Sequence, residues 1–459
     1  MAGIGYELRR ILNRGTLVSL LSAYGYAGII GSGPWVLSIL GVLLVGLVSI
    51  STQGPNTAVA QFQVSVTYLI AFSLILTGPL QLAFTRFVSD RMFEKSDAVV
   101  LPNFNGVLLV TTWVAGLIGL PVAILFFDGE PVVYRLLMVA GFVLLADIWI
   151  ATIFLSGLKQ HQAILALYGV GYGVSVIAAL VLAKLGLAGL LGGFVIGQAV
   201  LLAGMIALVV RAFPATRFMS FGFFRRDQHF RTLMLIGLAY NLGIWIDKFI
   251  FWLWPPTSQE IIGPLRASLI YDLPIFLAYL SIIPGMAVFL LRLETDFVDW
   301  YDSFYDSVRG GGSLAMIERL RNGMVESARM GLQEIIKIQA ITALVVIIAG
   351  SAILNWLGIS TLYAPLLNVM VVGAGMQVVL LGLLNVLFYL DRRRQALALT
   401  VLFLVLNAIG TAISLRLGPE FYGYGYAGAL LITCVVGALL LDHEFEKLEY
   451  RTFMLQRGA

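Results

Sequence analysis

The chain has 459 residues, of which 60% are apolar and only 12% are charged. A soluble domain holds about 45–50% apolar and about 25% charged residues, so a water-soluble enzyme, a nucleic-acid-binding domain and a disordered chain are all excluded. The net charge of +4 is small, and where the 29 Lys and Arg fall matters more than their excess over 25 Asp and Glu.

In chain order, the first feature is a short amphipathic segment over 1–22. Ile4, Leu8, Ile11 and Leu12 share one helical face and Arg9, Arg10 and Arg14 lie off it, the pattern of a helix resting on a membrane surface. Apolar stretches long enough to cross a hydrocarbon core then recur. They run over 25–50, 59–84, 104–127, 133–155, 164–183, 187–210, 232–254, 265–290, 335–356, 364–390, 395–415 and 426–442. This pattern predicts an all-α membrane protein of about twelve spans in two six-helix halves. The expected organisation is the interfacial helix 1–22, a first half 23–210, a basic linker 211–231, a second half 232–442 and a tail 443–459. A long amphipathic loop, 291–334, interrupts the second half.

The breaks between spans alternate in charge. One set holds only Arg135, Lys184, Arg266 and Arg416, and Lys248 lies inside a span; the other set holds the remaining 24 of 29 basic residues. Lys and Arg concentrate on the cytoplasmic side of short loops, which places both termini there.

The halves look duplicated. FLSGLKQHQAIL (154–165) aligns with FYLDRRRQALAL (388–399) at an offset of 233. Near that offset, Lys184 meets Arg416 and GLAGLLGGFVIG (186–197) meets GYGYAGALLIT (423–433). A 6+6 parallel repeat is a transporter architecture with substrate held between the halves.

Within the spans, a few residues break the apolar pattern. GSGPW (31–35) puts Gly31, Gly33 and Pro34 beside Trp35 in span 1, where missing backbone bonds permit either a gate or a packing kink. Ionisable groups in a bilayer cost roughly 2.5–3.5 kcal/mol or more. Asp147, Asp247, Lys248 and Asp272 therefore each need a reason. Tyr240, Asn241 and Asp247 on span 7, with Asp272 and Tyr279 on span 8, could line a transport path; equally, Lys248 could neutralise Asp247 or Asp272 in a structural pair. Asp147 has no basic residue in its span and must be protonated or face water. Gln61, Tyr68, Gln81, Gln377 and Asn385 suit sugar hydroxyls but suit helix–helix glue better.

The 291–334 loop carries ETDFVDWYDSFYDSV (294–308). Asp299, Asp302 and Asp306 form an acidic stripe beside Trp300, and GGG (310–312) precedes a second amphipathic run with Arg319 and Arg321 off its apolar stripe. An acidic, aromatic helix is a poor ligand for an anionic leaflet, so protein docking or packing beneath the spans is expected. No catalytic constellation is present. There is no Walker A motif, and the chain's only cysteine and three scattered His argue against a metal site and against any cofactor.

Twelve spans, basic inner loops and a longer inner loop after span 8 resemble the multidrug/oligosaccharidyl-lipid/polysaccharide exporter superfamily. More narrowly, MAGIGYELRRIL (1–12), AYGYAGIIGSGPWVLSI (23–39) and RLETDFVDWYDSFYDSV (292–308) look like the Pel exopolysaccharide transporter family of bacterial biofilms. The resemblance implies export of Pel, an N-acetylgalactosamine-rich, partly deacetylated glycan, across the bacterial inner membrane. It also implies a cytoplasmic glycosyltransferase, PelF, and the membrane proteins PelD and PelE as partners, with no nucleic acid. Two alternatives remain: an ion-coupled flippase for lipid-linked oligosaccharide or drugs, and a non-transporting scaffold for a glycosyltransferase.

Overall fold

The computed structural model describes residues 16–53, 57–157, 160–213, 215, 217–224 and 230–454. Residues 1–15, most of the expected interfacial helix, lie outside them. The described chain is helical apart from one small hairpin. In hydrocarbon each backbone N–H and C=O must be satisfied within its own segment, and the helix does this without partners.

The helices are α1 (Leu17–Gln53), α2 (Thr57–Phe93), α3 (Val100–Phe126), α4 (Val132–Gly157), α5 (His161–Leu182), α6 (Leu187–Ala212) and α7 (Phe230–Leu253). An antiparallel hairpin follows, β1 (Gln259–Ile262) and β2 (Leu265–Ala267). Then come α8 (Leu269–Leu280), α9 (Ile283–Leu291), α10 (Phe297–Arg309), α11 (Leu314–Trp356), α12 (Ala364–Tyr389), α13 (Arg393–Leu417), α14 (Tyr424–Glu446) and α15 (Leu448–Met454). Among the described residues, eleven helical segments are long and apolar enough to cross a membrane; a twelfth forms if Ser22–Ser32 and Leu37–Val45 are one bent span. The short breaks at 128–131 and 183–186 are both present.

Residues 291–334 are helical on either side of a turn at Gly310–Gly312. Arg292–Asp296 is a π-helical turn joining α9 to α10, and α11 is one helix of 43 residues. Both amphipathic runs are therefore extensions of spans 8 and 9. Sequence periodicity marks where the apolar face ends, not where the backbone stops being helical. The turn at Gly310–Gly312, with Gly311 at φ 72°, and the Ser313 cap that accepts from the Met316 N–H restart the helix.

The chain forms two compact units, residues 33–269 and residues 1–32 with 270–459. The first holds most of α1, α2–α7 and the hairpin. Its α6 carries Gly189, Gly193 and Gly197 at four-residue spacing. A Cβ at Gly193 would sit 2.2 Å from the Ala179 N, and one at Gly197 2.4 Å from the Gly171 O, so the α5 and α6 backbones touch. Gly78 on α2 meets Gly237 on α7 in the same way: a Cβ on Gly237 would lie 2.0 Å from the Gly78 O. Gly237→Ala is expected to destabilise the protein by about 1–3 kcal/mol through overpacking. Gly173→Ala, whose Cβ would meet nothing within 4 Å, is the control. Thermal unfolding in detergent reads both.

The 211–231 linker returns to this unit. Phe223 is buried beside Phe84 (5.4 Å) and Phe87 (5.6 Å), while its N–H donates to Asn103 Oδ1 at 2.9 Å. The hairpin is clamped by Tyr68, which stacks on Trp252 at 4.5 Å and donates to the Arg266 carbonyl at 2.9 Å. Arg266 itself pairs with Glu260 at 2.5 Å.

In the other unit, Gly28 and Gly31 of α1 lie against α9; a Cβ on Gly31 would be 2.9 Å from Leu290 Cδ1. The α13–α14 crossing repeats the α5–α6 one. A Cβ on Gly425 would meet Gly410 and Thr411 backbone as one on Gly193 meets Ala178 and Ala179, each partner 232 residues later. The bounds of α4 and α12, Val132–Gly157 and Ala364–Tyr389, share that shift. The last three helices of the two halves, α4–α6 and α12–α14, thus repeat. The packing units differ from the sequence halves, however: α7 joins α2–α6, and the first part of α1 joins α8–α15.

Candidate functional site

The buried charges are of two kinds. On α7, Asp247 and Lys248 are both fully buried, and the Lys248 ammonium lies 3.2 Å from Asp247 Oδ2. It also donates to the Ile244 carbonyl at 2.8 Å and sits 5.6 Å over the Trp245 ring. Neutralisation, a backbone acceptor and a π-face together offset the desolvation of the ammonium.

Asp147 differs. It is 6% exposed on α4, Thr112 Oγ1 of α3 donates to its Oδ2 at 2.6 Å, and its Oδ1 has no hydrogen-bond partner among the described residues. No described Lys or Arg pairs with it. A buried carboxyl of this kind needs a proton or a cation.

Tyr240 is half-buried and Asn241 buried on α7, the latter against Gly78. Asp272 and Tyr279 are buried on α8, in the unit of residues 1–32 and 270–459. Asp272 stands in the first turn, where the helix dipole favours an anion. The structure thus gathers Asp247 with Lys248 and places Asp147 on a separate pair of helices. Gly31 packs on α9, and the boundary between the compact units falls at Ser32/Gly33, inside GSGPW. The Gly33, Pro34 and Trp35 side chains lie outside the described residues.

The polar span residues are largely spent on holding helices. Gln61 donates to the Ile261 carbonyl, Gln81 to Thr77 Oγ1, and Gln377 accepts from Tyr426 at 2.6 Å. Asn385 donates to Glu294 at 2.7 Å, and so does Tyr389 at 2.9 Å. Glu294 belongs to the π-helical turn, as does Arg292, which makes a two-pronged pair with Glu334 at 2.5 and 3.0 Å and reaches Asp296 at 2.7 Å. Single-turn π segments concentrate at functional positions. The RLETDF segment stood out in the sequence, but Glu334, Asn385 and Tyr389 lie 42 to 95 residues from their partners in it and no local pattern reveals them.

Of the expected docking residues, Asp299, Asp302, Asp306 and Arg319 are exposed. Trp300 is exposed too, though one edge of its ring covers Gly323, whose Cβ would lie 2.4 Å from it; Arg321 pairs with Glu449 at 3.2 Å.

A further centre went unseen in the sequence. Glu444 on α14 is 2% exposed and takes Arg392 at 2.7 Å, Gln395 at 2.9 Å and Arg451 of α15. Glu444→Ala should strand two guanidinium groups and loosen α15. Limited trypsin cleavage after Lys447 and Arg451 is expected to quicken several-fold, with the spans left intact.

Comparison with known proteins identifies the chain's kin. The family model described as "PelG: Putative exopolysaccharide Exporter (EPS-E)" matches residues 1–453. The chain belongs to this PelG family. Among solved structures, an outward-facing multidrug resistance MATE transporter of the MOP superfamily superposes with a TM-score of 0.66 at 15% identity, covering 93% of this chain and 97% of that one. A MATE protein in the bent conformation gives 0.63 at 14%, covering 96% and 98%. A MOP superfamily transporter from Pyrococcus furiosus, whose binding pocket is described as of reversed polarity, gives 0.62 at 12%, covering 93% and 95%. These likenesses establish the fold. No curated protein matches the chain significantly. Membership in PelG and the MOP fold make it a multi-pass membrane transporter.

Proposed function

We propose that this chain exports Pel exopolysaccharide, an N-acetylgalactosamine-rich glycan, from the cytoplasm to the periplasm across the bacterial inner membrane. The observation that carries this reading is the PelG family match over residues 1–453. The 24 basic residues on one side of the spans support cytoplasmic termini. PelF would make the chain from UDP-sugars, and PelD and PelE would complete the complex. The exposed acidic face of α10 is the docking surface proposed for them. The chain itself transports and does not catalyse.

The test is reconstitution. Complex is placed in vesicles with UDP-sugar supplied on the cytoplasmic face, and polymer is assayed in the lumen with and without this chain. Luminal polymer only when the chain is present supports export. Luminal polymer without it, or a complex that needs the chain only to assemble, supports the scaffold reading instead.

A second reading concerns the energy source, and Asp147 favours it. A buried carboxyl with one unpartnered oxygen is suited to carry a proton or a monovalent cation. That property fits an ion-coupled, alternating-access flippase better than a passive polymer channel.

A further inference from the structure

The unit of residues 1–32 and 270–459 contains a cavity of about 570 Å³ that is separate from every charged group discussed so far. α12 forms its floor through Val372, Gly375 and Val379; α11 and α14 form its walls. Ligand pockets have volumes of about 300–1,000 Å³ and are mostly apolar. Here the walls are almost wholly apolar. Gln339 lines the cavity, yet its amide is turned into the protein, donating to the Ile282 carbonyl and filling the space left by Gly285 and Gly375. The Cys434 thiol donates to the Met376 carbonyl at 3.3 Å.

The rim residues Ile336, Leu344, Leu431 and Val435 are about half-exposed, so the cavity opens sideways, away from the unit's interior. All three helices are candidate spans, and the rim lies in their apolar stretches. An opening of this kind, with an apolar rim at span depth, suits hydrocarbon better than water. We infer that the groove between α11, α12 and α14 is a binding site for one acyl chain of a membrane phospholipid.

Length and charge agree. From Leu332 to Ile347 the α11 wall rises about 22 Å at 1.5 Å per residue, somewhat more than the roughly 15 Å of one leaflet's hydrocarbon. At the Leu332 end, Arg329 of α11 pairs with Asp442 of α14, straddling the groove's two walls. Lys337 is exposed beside Ile336, and its stem lets the ammonium reach toward a headgroup phosphate. A bound chain would fill the space between α11 and α14 beyond their Arg329–Asp442 pair, and so brace two helices of the transporter.

The test uses the full chain in phospholipid nanodiscs containing a small fraction of phospholipid with a diazirine in its acyl chain. After irradiation, adducts are mapped. Adducts on the groove walls are expected to exceed those on Leu125 and Val181, which are equally outward-facing at 73% exposure, by at least about fivefold. That is the population ratio set by roughly 1 kcal/mol of preference. Ala438→Phe, which fills the groove, should remove the excess and leave Val181 labelling unchanged. The sole thiol needs no substitution: stripping lipid with detergent should speed alkylation of Cys434 by N-phenylmaleimide, and adding phospholipid back should slow it again. Even labelling of all outward residues, or Cys434 reactivity indifferent to lipid, overturns the inference. A stable dimer whose groove stays unlabelled also overturns it, and assigns the groove to a second copy.

Discussion

Lys248→Met should unfold or severely destabilise this transporter. The substitution leaves the fully buried Asp247 carboxylate without the ammonium 3.2 Å away, and removing one partner of a buried pair costs about 3–5 kcal/mol. Marginally stable proteins rarely tolerate such a loss. The yield of folded, detergent-monodisperse protein is the first readout and its melting temperature the second. The companion substitution Asp247→Asn should be milder, because Lys248 keeps the Ile244 carbonyl and the Trp245 face. If the pair is structural, the double variant Asp247→Asn/Lys248→Met recovers stability relative to Lys248→Met, and export recovers with it. If instead these groups line the path, the double variant is stable and inert. Either single variant remaining fully stable would show that the charges are not held as a pair in the folded protein.

Asp147→Asn is expected to leave the fold intact and to cripple export. Asparagine is nearly isosteric and can still accept from Thr112, so the 2.6 Å contact survives while the group loses its ability to bind a proton. With Asp147 as the coupling group, luminal polymer should fall by about 5–150-fold, the range spanned by a coupling free energy of 1–3 kcal/mol. The residual export should no longer respond to a protonophore or to replacement of sodium. Thr112→Val gives the converse case: the carboxyl keeps its ability to bind a proton but loses its donor, and export should persist with a shifted dependence on external pH. Unaltered export by Asp147→Asn at normal protein levels would sink the coupling role and favour a passive channel threading the growing polymer.

The two experiments separate groups that look alike in a sequence. Asp147, Asp247 and Asp272 are each one acid in an apolar run. Composition alone says only that each carries a cost at membrane depth. Adjacency in sequence hinted that Lys248 could serve Asp247, but not that the pair would also have a backbone acceptor and a ring. That Asp147 would find a hydroxyl on α3 and leave one oxygen unpaired depends on the packing of α3 against α4. The Glu444 centre shows the same limit. Its partners come from the start of α13 and from α15, and in the sequence they read only as scattered charges.

Other features were local, and local rules found them. Span positions follow from apolar length, since a helix must carry about 20 apolar residues to cross the core. The breaks at 128–131 and 183–186 were short but real. The repeat was visible because loop and glycine positions are fixed by backbone contact: Gly193 and Gly425 each sit where a neighbouring helix leaves no room for a Cβ. The 291–334 segment read as two amphipathic helical runs with a break at GGG; what its periodicity did not reveal is that α11 runs on unbroken for 43 residues into the next span.

By itself, then, the sequence determined a helical membrane protein, its span count to within one, its duplicated halves and its kinship with exopolysaccharide exporters. The first three rest on hydropathy, charge and residue size, which act over one or two helical turns; the kinship rests on the resemblance carried by the 1–12, 23–39 and 292–308 segments. The tertiary structure alone decided which helices share a compact unit: α7 with α2–α6, and the first part of α1 with α8–α15. It also decided which intramembrane charge is paired and which is not, and where the span surface opens into an apolar groove. The physical reason is common to all three. Each depends on which side chains meet across helices tens to hundreds of residues apart, and chain order does not encode that meeting in any local pattern.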